Sequence, residues 1–130
     1  MTSPHPRRKV LVVEDHLDTV HTFAMLLKMD GHEVEFAING YAAIDIAQKF
    51  RPDIVLLDLG LPGLDGFTVC SRIKHEPGLE RTRVIAVTAY ADDAHKVRSR
   101  AAGCELHVVK PVDPVHLLEL VNASPATPPI

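Results

Sequence analysis

Short apolar runs alternate with stretches of helical periodicity along this chain, without a break from Lys9 to about Val121. Lys9-Val10-Leu11-Val12-Val13, Ile54-Val55-Leu56-Leu57-Asp58 and Arg83-Val84-Ile85-Ala86-Val87-Thr88 are nearly continuous in apolar character. That is the pattern of strands covered on both faces of a parallel sheet. His32 to Ala37 alternates polar with apolar, which suits a half-exposed edge strand, and Leu106 to Lys110 completes the set. Between the strands, Leu17, Val20, Ala24 and Leu27 mark the inner face of a first helix that Asp30-Gly31 ends. Asn39-Gly40 opens a second helix with Ala43, Ile44, Ala47 and Phe50 inward, and a third runs from Asp65 or Gly66 to Lys74. Asp92 and Asp93 begin a fourth, closed by Gly103, and Asp113-Pro114 cap and open the last. Strict alternation with right-handed crossovers predicts an α/β fold, a doubly wound five-stranded parallel sheet with helices on both faces.

A chain of 130 residues suits one such domain, able to bury a core without metal or disulfides. Residues 1–8 read as a flexible leader, 9–121 as the domain, and 122–130 as a Pro-rich tail or linker stub. The net charge of −3 gives no support for direct nucleic-acid binding. No apolar run reaches the roughly 20 residues of a membrane span, and residues 1–9 lack the core of a signal peptide. Cys70 and Cys104 read as two isolated thiols in a reducing compartment, so a cytoplasmic protein is expected. The eight histidines show no metal-binding spacing, and His16 reads as a loop residue beside the acidic pair.

The strand ends carry the chemistry. The first strand ends in Glu14-Asp15, the third in Asp58, the fourth in Thr88 and the fifth in Lys110-Pro111. A parallel sheet sets all of these ends on one edge, where open α/β sheets bind their ligands. Three crowded carboxylates repel one another and invite a hard divalent cation such as Mg²⁺, which takes oxygen ligands and completes its shell with phosphate oxygens. A carboxylate left facing outward can attack phosphorus and form an acyl phosphate. A fixed cation such as Lys110 would neutralise charge on the transferring group, and the Thr88 hydroxyl could donate to it.

On Val10-Leu11-Val12-Val13-Glu14-Asp15, on Asp58 with Leu61-Pro62-Gly63-Leu64-Asp65-Gly66, on Val87-Thr88-Ala89 and on Lys110-Pro111, residues 8–121 resemble a response-regulator receiver domain of two-component signalling. The resemblance implies the flavodoxin-like strand order 2-1-3-4-5. It implies Asp58 as phosphoacceptor and Glu14, Asp15, Asp58 and the backbone carbonyl of Gly60 as Mg²⁺ ligands. Thr88, Ala89 and Lys110 would contact the phosphoryl group, with small Ala89 leaving the site open to the donor. Tyr90 would sit at the site mouth, and the Lys110–Pro111 peptide would be cis. The implied function is a phosphorylation-activated switch rather than an enzyme, with a histidine kinase or histidine phosphotransfer protein as donor. The face formed by the fourth helix, fifth strand and fifth helix would carry the change to a downstream protein or to a second copy of the chain. The protein would be a stand-alone receiver or a part of a larger regulator or hybrid kinase.

The family usually carries an aromatic residue three positions before the strand-five lysine, and here that position is His107. Burying an imidazolium is unfavourable, so a switch through Thr88 and His107 would depend on pH near neutrality; alternatively His107 is an ordinary half-buried neutral ring. Leu61 and Leu64 replace commoner methionines at similar volume, without expected loss of function. Three other classes compete. An aspartyl-phosphate hydrolase usually wants a second acid where Gly60 stands. A flavin or nucleotide module wants a Gly/Ser/Thr-rich loop where Glu14-Asp15 stand. A degenerate receiver that only docks to partners remains open through His107.

Overall fold

The structure, a computed structural model, describes residues 6–61, 63–89 and 92–123. Five strands alternate with five helices: β1 (Lys9–Val13), α1 (Leu17–Met29), β2 (Glu33–Ala37), α2 (Gly40–Phe50), β3 (Ile54–Asp58), α3 (Gly66–His75), β4 (Arg83–Thr88), α4 (Asp93–Ala102), β5 (Leu106–Val109) and α5 (Pro114–Asn122). All strand pairs are parallel and the sheet order is β2-β1-β3-β4-β5, the flavodoxin-like order. Every residue of β3 and β4 is buried, whereas the edge strand β2 buries only Ala37 fully.

Side chains alternate across the sheet, and each parity has its own helix layer. Leu11, Val13, Val55, Leu57, Val84 and Ala86 pack with α2 and α3 residues such as Ala43, Ala47, Val69 and Ile73. Val10, Val12, Ile54, Leu56 and Ile85 pack with Leu27 of α1 and with Leu117 and Val121 of α5. Burying one such Leu or Ile side chain contributes about 1.5–3 kcal/mol, so the unbroken apolar runs are the main source of stability.

The helix starts follow the cap chemistry. Asn39 Oδ1 accepts from the Ala42 amide at 2.8 Å, Asp65 from Phe67 at 2.8 Å, and Asp113 from Val115 at 3.0 Å. At Gly66 a β-carbon would stand 2.8 Å from Leu59 Cα, so only glycine lets α3 begin this close under the loop that follows β3. Gly103 closes α4 in the left-handed region at φ 106°.

Three expectations need correction. Leu17 is 52% exposed, because the first turn of α1 overhangs the carboxyl edge of the sheet; Phe23 packs inward instead, a turn beyond Val20. β5 stops at Val109: Lys110 still donates to the Thr88 carbonyl at 2.8 Å, but Pro111 after it has no N–H to continue the ladder. Cys70 and Cys104 are not isolated from each other, since their Sγ atoms lie 3.1 Å apart in the core.

Candidate functional site

Asp58 is the last residue of the fully buried β3, and Glu14 is the first after β1. Both are largely shut from solvent, at 8% and 4% exposure, while Asp15 is exposed. Acceptor oxygens of Glu14, Asp15 and Asp58 all lie within 4.8 Å of one another. Lys110, delivered by the end of β5 on the far side of β4, spans the cluster. Its Nζ donates to Glu14 Oε1 at 2.8 Å and to Asp58 Oδ2 at 3.0 Å. The amide of Gly60 donates to Asp58 Oδ1 at 2.8 Å, which holds the carboxylate plane at the strand end. The Asp15 amide donates to Glu14 Oε2 at 3.1 Å.

The two buried carboxyls are driven apart electrostatically. Burial pushes Glu14 above its ordinary value, and its hydrogen bond to Asp58 adds to the rise against the pull of Lys110. Burial pushes Asp58 upward too, but hydrogen bonds from Glu14, the Gly60 amide and Lys110 outweigh it and leave its carboxyl below the ordinary range. Burial lowers Lys110, yet its bonds to Glu14 and Asp58 win and raise it. Glu14 is thus the weaker acid of the two and Asp58 the stronger.

Strand parity separates the other expected residues. Asp58 pairs with Val87, so Thr88 and Asp58 start on opposite faces of the sheet. Thr88 is fully buried, and its neighbour in register is Val109. His107, opposite Ala86, shares the Thr88 face and is half-buried. Thus Glu14, Asp15, Asp58, Gly60 and Lys110 come together, while Thr88 and His107 lie behind them on the α3–α4 side. Ala89 is exposed just past β4, and the Lys110–Pro111 peptide is cis. Tyr90, the expected mouth residue, lies outside the described residues. His16 caps α1 and its Nδ1 meets Thr19 Oγ1 at 2.9 Å, as a loop residue rather than a member of the cluster.

Ser99 was not singled out by the sequence. It is 1% exposed on α4; its Oγ donates to the His95 carbonyl at 2.9 Å and lies 3.0 Å from His107 Nδ1. A hydroxyl has one proton, so His107 Nδ1 must be the donor in that contact. A lone serine in a polar helix carries no signal of such a partner.

A cluster of three carboxylates with a lysine ammonium across two of them, on the carboxyl edge of a 2-1-3-4-5 sheet, is the architecture of a receiver domain. The family model described as the response regulator receiver domain matches residues 10–122, and the chain belongs to that family. It is 34% identical over 116 residues to the polar-differentiation response regulator DivK of Brucella anthropi, covering 89% of this chain and 94% of that one. The chemotaxis protein CheY4 of Vibrio cholerae superposes with a TM-score of 0.85 at 28% identity, over 89% of this chain and 97% of that one. The receiver domain of the sensor histidine kinase PA1611 from Pseudomonas aeruginosa, solved with a magnesium ion coordinated in its active-site cleft, superposes with a TM-score of 0.80 at 27% identity, over 89% and 95% of the two chains. Receiver domains are signalling switches of two-component systems that interact with histidine kinases and phosphotransfer proteins, and the family binds Mg²⁺ in its acidic pocket. The donor set here fits that ion: three carboxylates in mutual reach, all hard oxygen, with Lys110 touching only two of them. Among the described residues no helix is long and apolar enough to cross a membrane.

Proposed function

We propose that Asp58 accepts a phosphoryl group from a histidine kinase or histidine phosphotransfer protein, and that the chain works as a phosphorylation-driven switch. The observation that carries this is the placement of Asp58: at the end of a central strand, 3.0 Å from Lys110 and within 4.8 Å of two further carboxylates. An Asp58 oxygen attacks phosphorus, the P–N bond of the phosphohistidine breaks, and the departing imidazole keeps the electron pair. Lys110 can leave its carboxylates and follow the charge onto the phosphoryl oxygens. Mg²⁺, held by Glu14, Asp15, Asp58 and the Gly60 carbonyl, would neutralise charge on the transferring group. Ala89 offers only a methyl group at the approach to the site.

Thr88 and His107 supply the readout. Drawing the Thr88 hydroxyl toward a phosphoryl group on Asp58 vacates space on the face that His107 shares, and the ring follows inward. That motion reaches α4 through the His107–Ser99 contact, so the face of α4, β5 and α5 becomes the surface presented to a downstream protein or a second copy. Apart from its own phosphorylation and dephosphorylation the domain turns over no substrate. Residues 9–121 act as this unit.

The test is labelling by a small acyl-phosphate donor with and without Mg²⁺, in wild type and Asp58→Ala. Mg²⁺-dependent incorporation that vanishes in the variant supports the reading. Labelling retained in Asp58→Ala overturns the assignment of the acceptor.

A further inference from the structure

Cys70 and Cys104 are the sulfur atoms the phosphoryl chemistry does not use. Cys70 sits mid-way along α3 with 0% exposure, and Cys104 follows the Gly103 cap of α4 with 6% exposure. The elements that bring them together are rigid. Cys104 N is held by the Ser99 carbonyl at 2.9 Å, and Cys70 Sγ lies 3.3 Å from the Ala102 carbonyl. Their Sγ atoms are 3.1 Å apart, so closing to the usual 2.03–2.05 Å of a disulfide takes a shift of about 1 Å. Cys104 also lines an open cleft of about 240 Å³ between the end of α4 and β5, rimmed by Lys96 and Arg100. The cleft thus opens beside Cys104, and the Cys70 sulfur lies directly behind that residue.

We propose that Cys70 and Cys104 form a reversible redox site, in which a small peroxide entering by the cleft oxidises one sulfur of the pair and the other closes an intramolecular disulfide between α3 and the end of α4. In the first step a thiolate of the pair attacks a peroxide oxygen, the O–O bond breaks, and a sulfenic acid and hydroxide result. In the second the partner thiol gives its proton to the hydroxide just released, and its sulfur attacks the sulfenic sulfur and expels hydroxide. With hydrogen peroxide the sum is two thiols and one peroxide giving one disulfide and two waters. Within the pair the thiolate character lies on Cys70: the hydrogen bond from Cys104 holds Cys70 below its ordinary value against burial, with the Lys74 ammonium nearby helping, while that bond and burial push the Cys104 thiol up. The crosslink would span 34 positions of chain and bind α3 to the turn that feeds β5. It involves neither Asp58 nor a metal, so its test is independent of the phosphoryl reading.

The experiment treats the folded wild-type chain with graded hydrogen peroxide in the presence of a chelator, then quenches, denatures and alkylates. Intact mass and a non-reducing peptide map are read. The expected result is loss of both alkylatable thiols in the monomer, a mass lower by two hydrogens, and a linked Cys70–Cys104 peptide that dithiothreitol releases. Cys70→Ser and Cys104→Ser are each expected to form no intramolecular crosslink, with any oxidation of the remaining thiol stalling at a sulfenic acid trapped by dimedone. Two thiols still fully alkylatable, a crosslink only between chains, or sulfinic acid at Cys104 of wild type without a linked peptide would each overturn the proposal. Because the decisive measurement is on wild type, a variant that misfolds leaves it intact.

Discussion

The Lys110 ammonium stands 3.0 Å from Asp58 Oδ2 although 52 positions separate them in the chain. Against the upward push of burial, it joins the hydrogen bonds from Glu14 and the Gly60 amide in holding the Asp58 carboxyl below its ordinary range. Lys110→Met is expected to lower the stability of the metal-free protein at neutral pH. Solvent reaches a third of the lysine side chain, which limits the loss to about 1–2 kcal/mol. The same change removes a cation that competes for Glu14 and Asp58, so Mg²⁺ affinity should rise several-fold. Urea unfolding and a Mg²⁺ titration read the two effects, and weaker Mg²⁺ binding would contradict the competition.

Glu14 and Asp58 should respond to pH with opposite signs. A raised folded-state value means that the contribution of Glu14 is complete below its ordinary 4.5 and is lost as pH rises through the folded value. Glu14→Gln cannot ionise, so in metal-free buffer at neutral pH it should gain about 1 kcal/mol, roughly 4 °C in Tm, with the gain fading toward pH 4. The depressed Asp58 contributes stability above its ordinary 3.8 and loses it as pH falls. Asp58→Asn should therefore cost stability at neutral pH and progressively less in acid. Parallel pH profiles for the two variants would contradict this division of charge.

Ser99→Ala removes the acceptor of the His107 Nδ1 proton and the donor to the His95 carbonyl. The expected cost is about 0.5–1.5 kcal/mol, with the His107 ring resonances shifting in NMR spectra. An unchanged ring environment would show that the helix does not hold the histidine.

Arg83 opens β4 at the opposite end of the sheet from the site. Its Nε reaches Glu105 Oε2 at 2.6 Å, and its Nη1 donates to the carbonyls of Ala123 at 3.0 Å and Leu120 at 3.4 Å. Arg83→Met keeps the volume but strips the end of α5 of that donor. A loss of about 2–3 kcal/mol is expected, since Glu105 can partly hydrate, together with faster amide exchange in the last turn of α5. Uniform exchange across the helix would argue that α5 is held by its apolar face alone.

Most of this molecule could be read before it was seen, because the informative features are local. Unbroken apolar runs such as Ile54 to Leu57 declare buried parallel strands, and capping residues such as Asn39 and Asp113 declare helix starts. The assembly of Glu14, Asp58 and Lys110 was legible for a different reason: a parallel sheet converts strand-end position into proximity. What was hidden depends on side-chain direction and on packing between helices. Leu17 satisfies the apolar spacing of α1 yet has no sheet beneath it. Ser99 becomes a partner of His107 only through the placement of α4 over β5. Cys70 and Cys104 meet only because α3 and the end of α4 pack together, which no spacing in the chain announces.

The partly exposed β2 has a consequence for behaviour at high concentration. Its pattern places Glu33 and Glu35 on the outermost strand, with Val34 between them and Phe36 next along. A second chain adding to that rim in register would stack carboxylate beside carboxylate at the spacing of neighbouring strands, about 4.8 Å. Like charges at that separation are repulsive, and acidic guards of this kind discourage open edges from templating fibrils. The alternation that marks β2 as the half-buried strand is also what keeps its free hydrogen-bonding row from recruiting copies of itself.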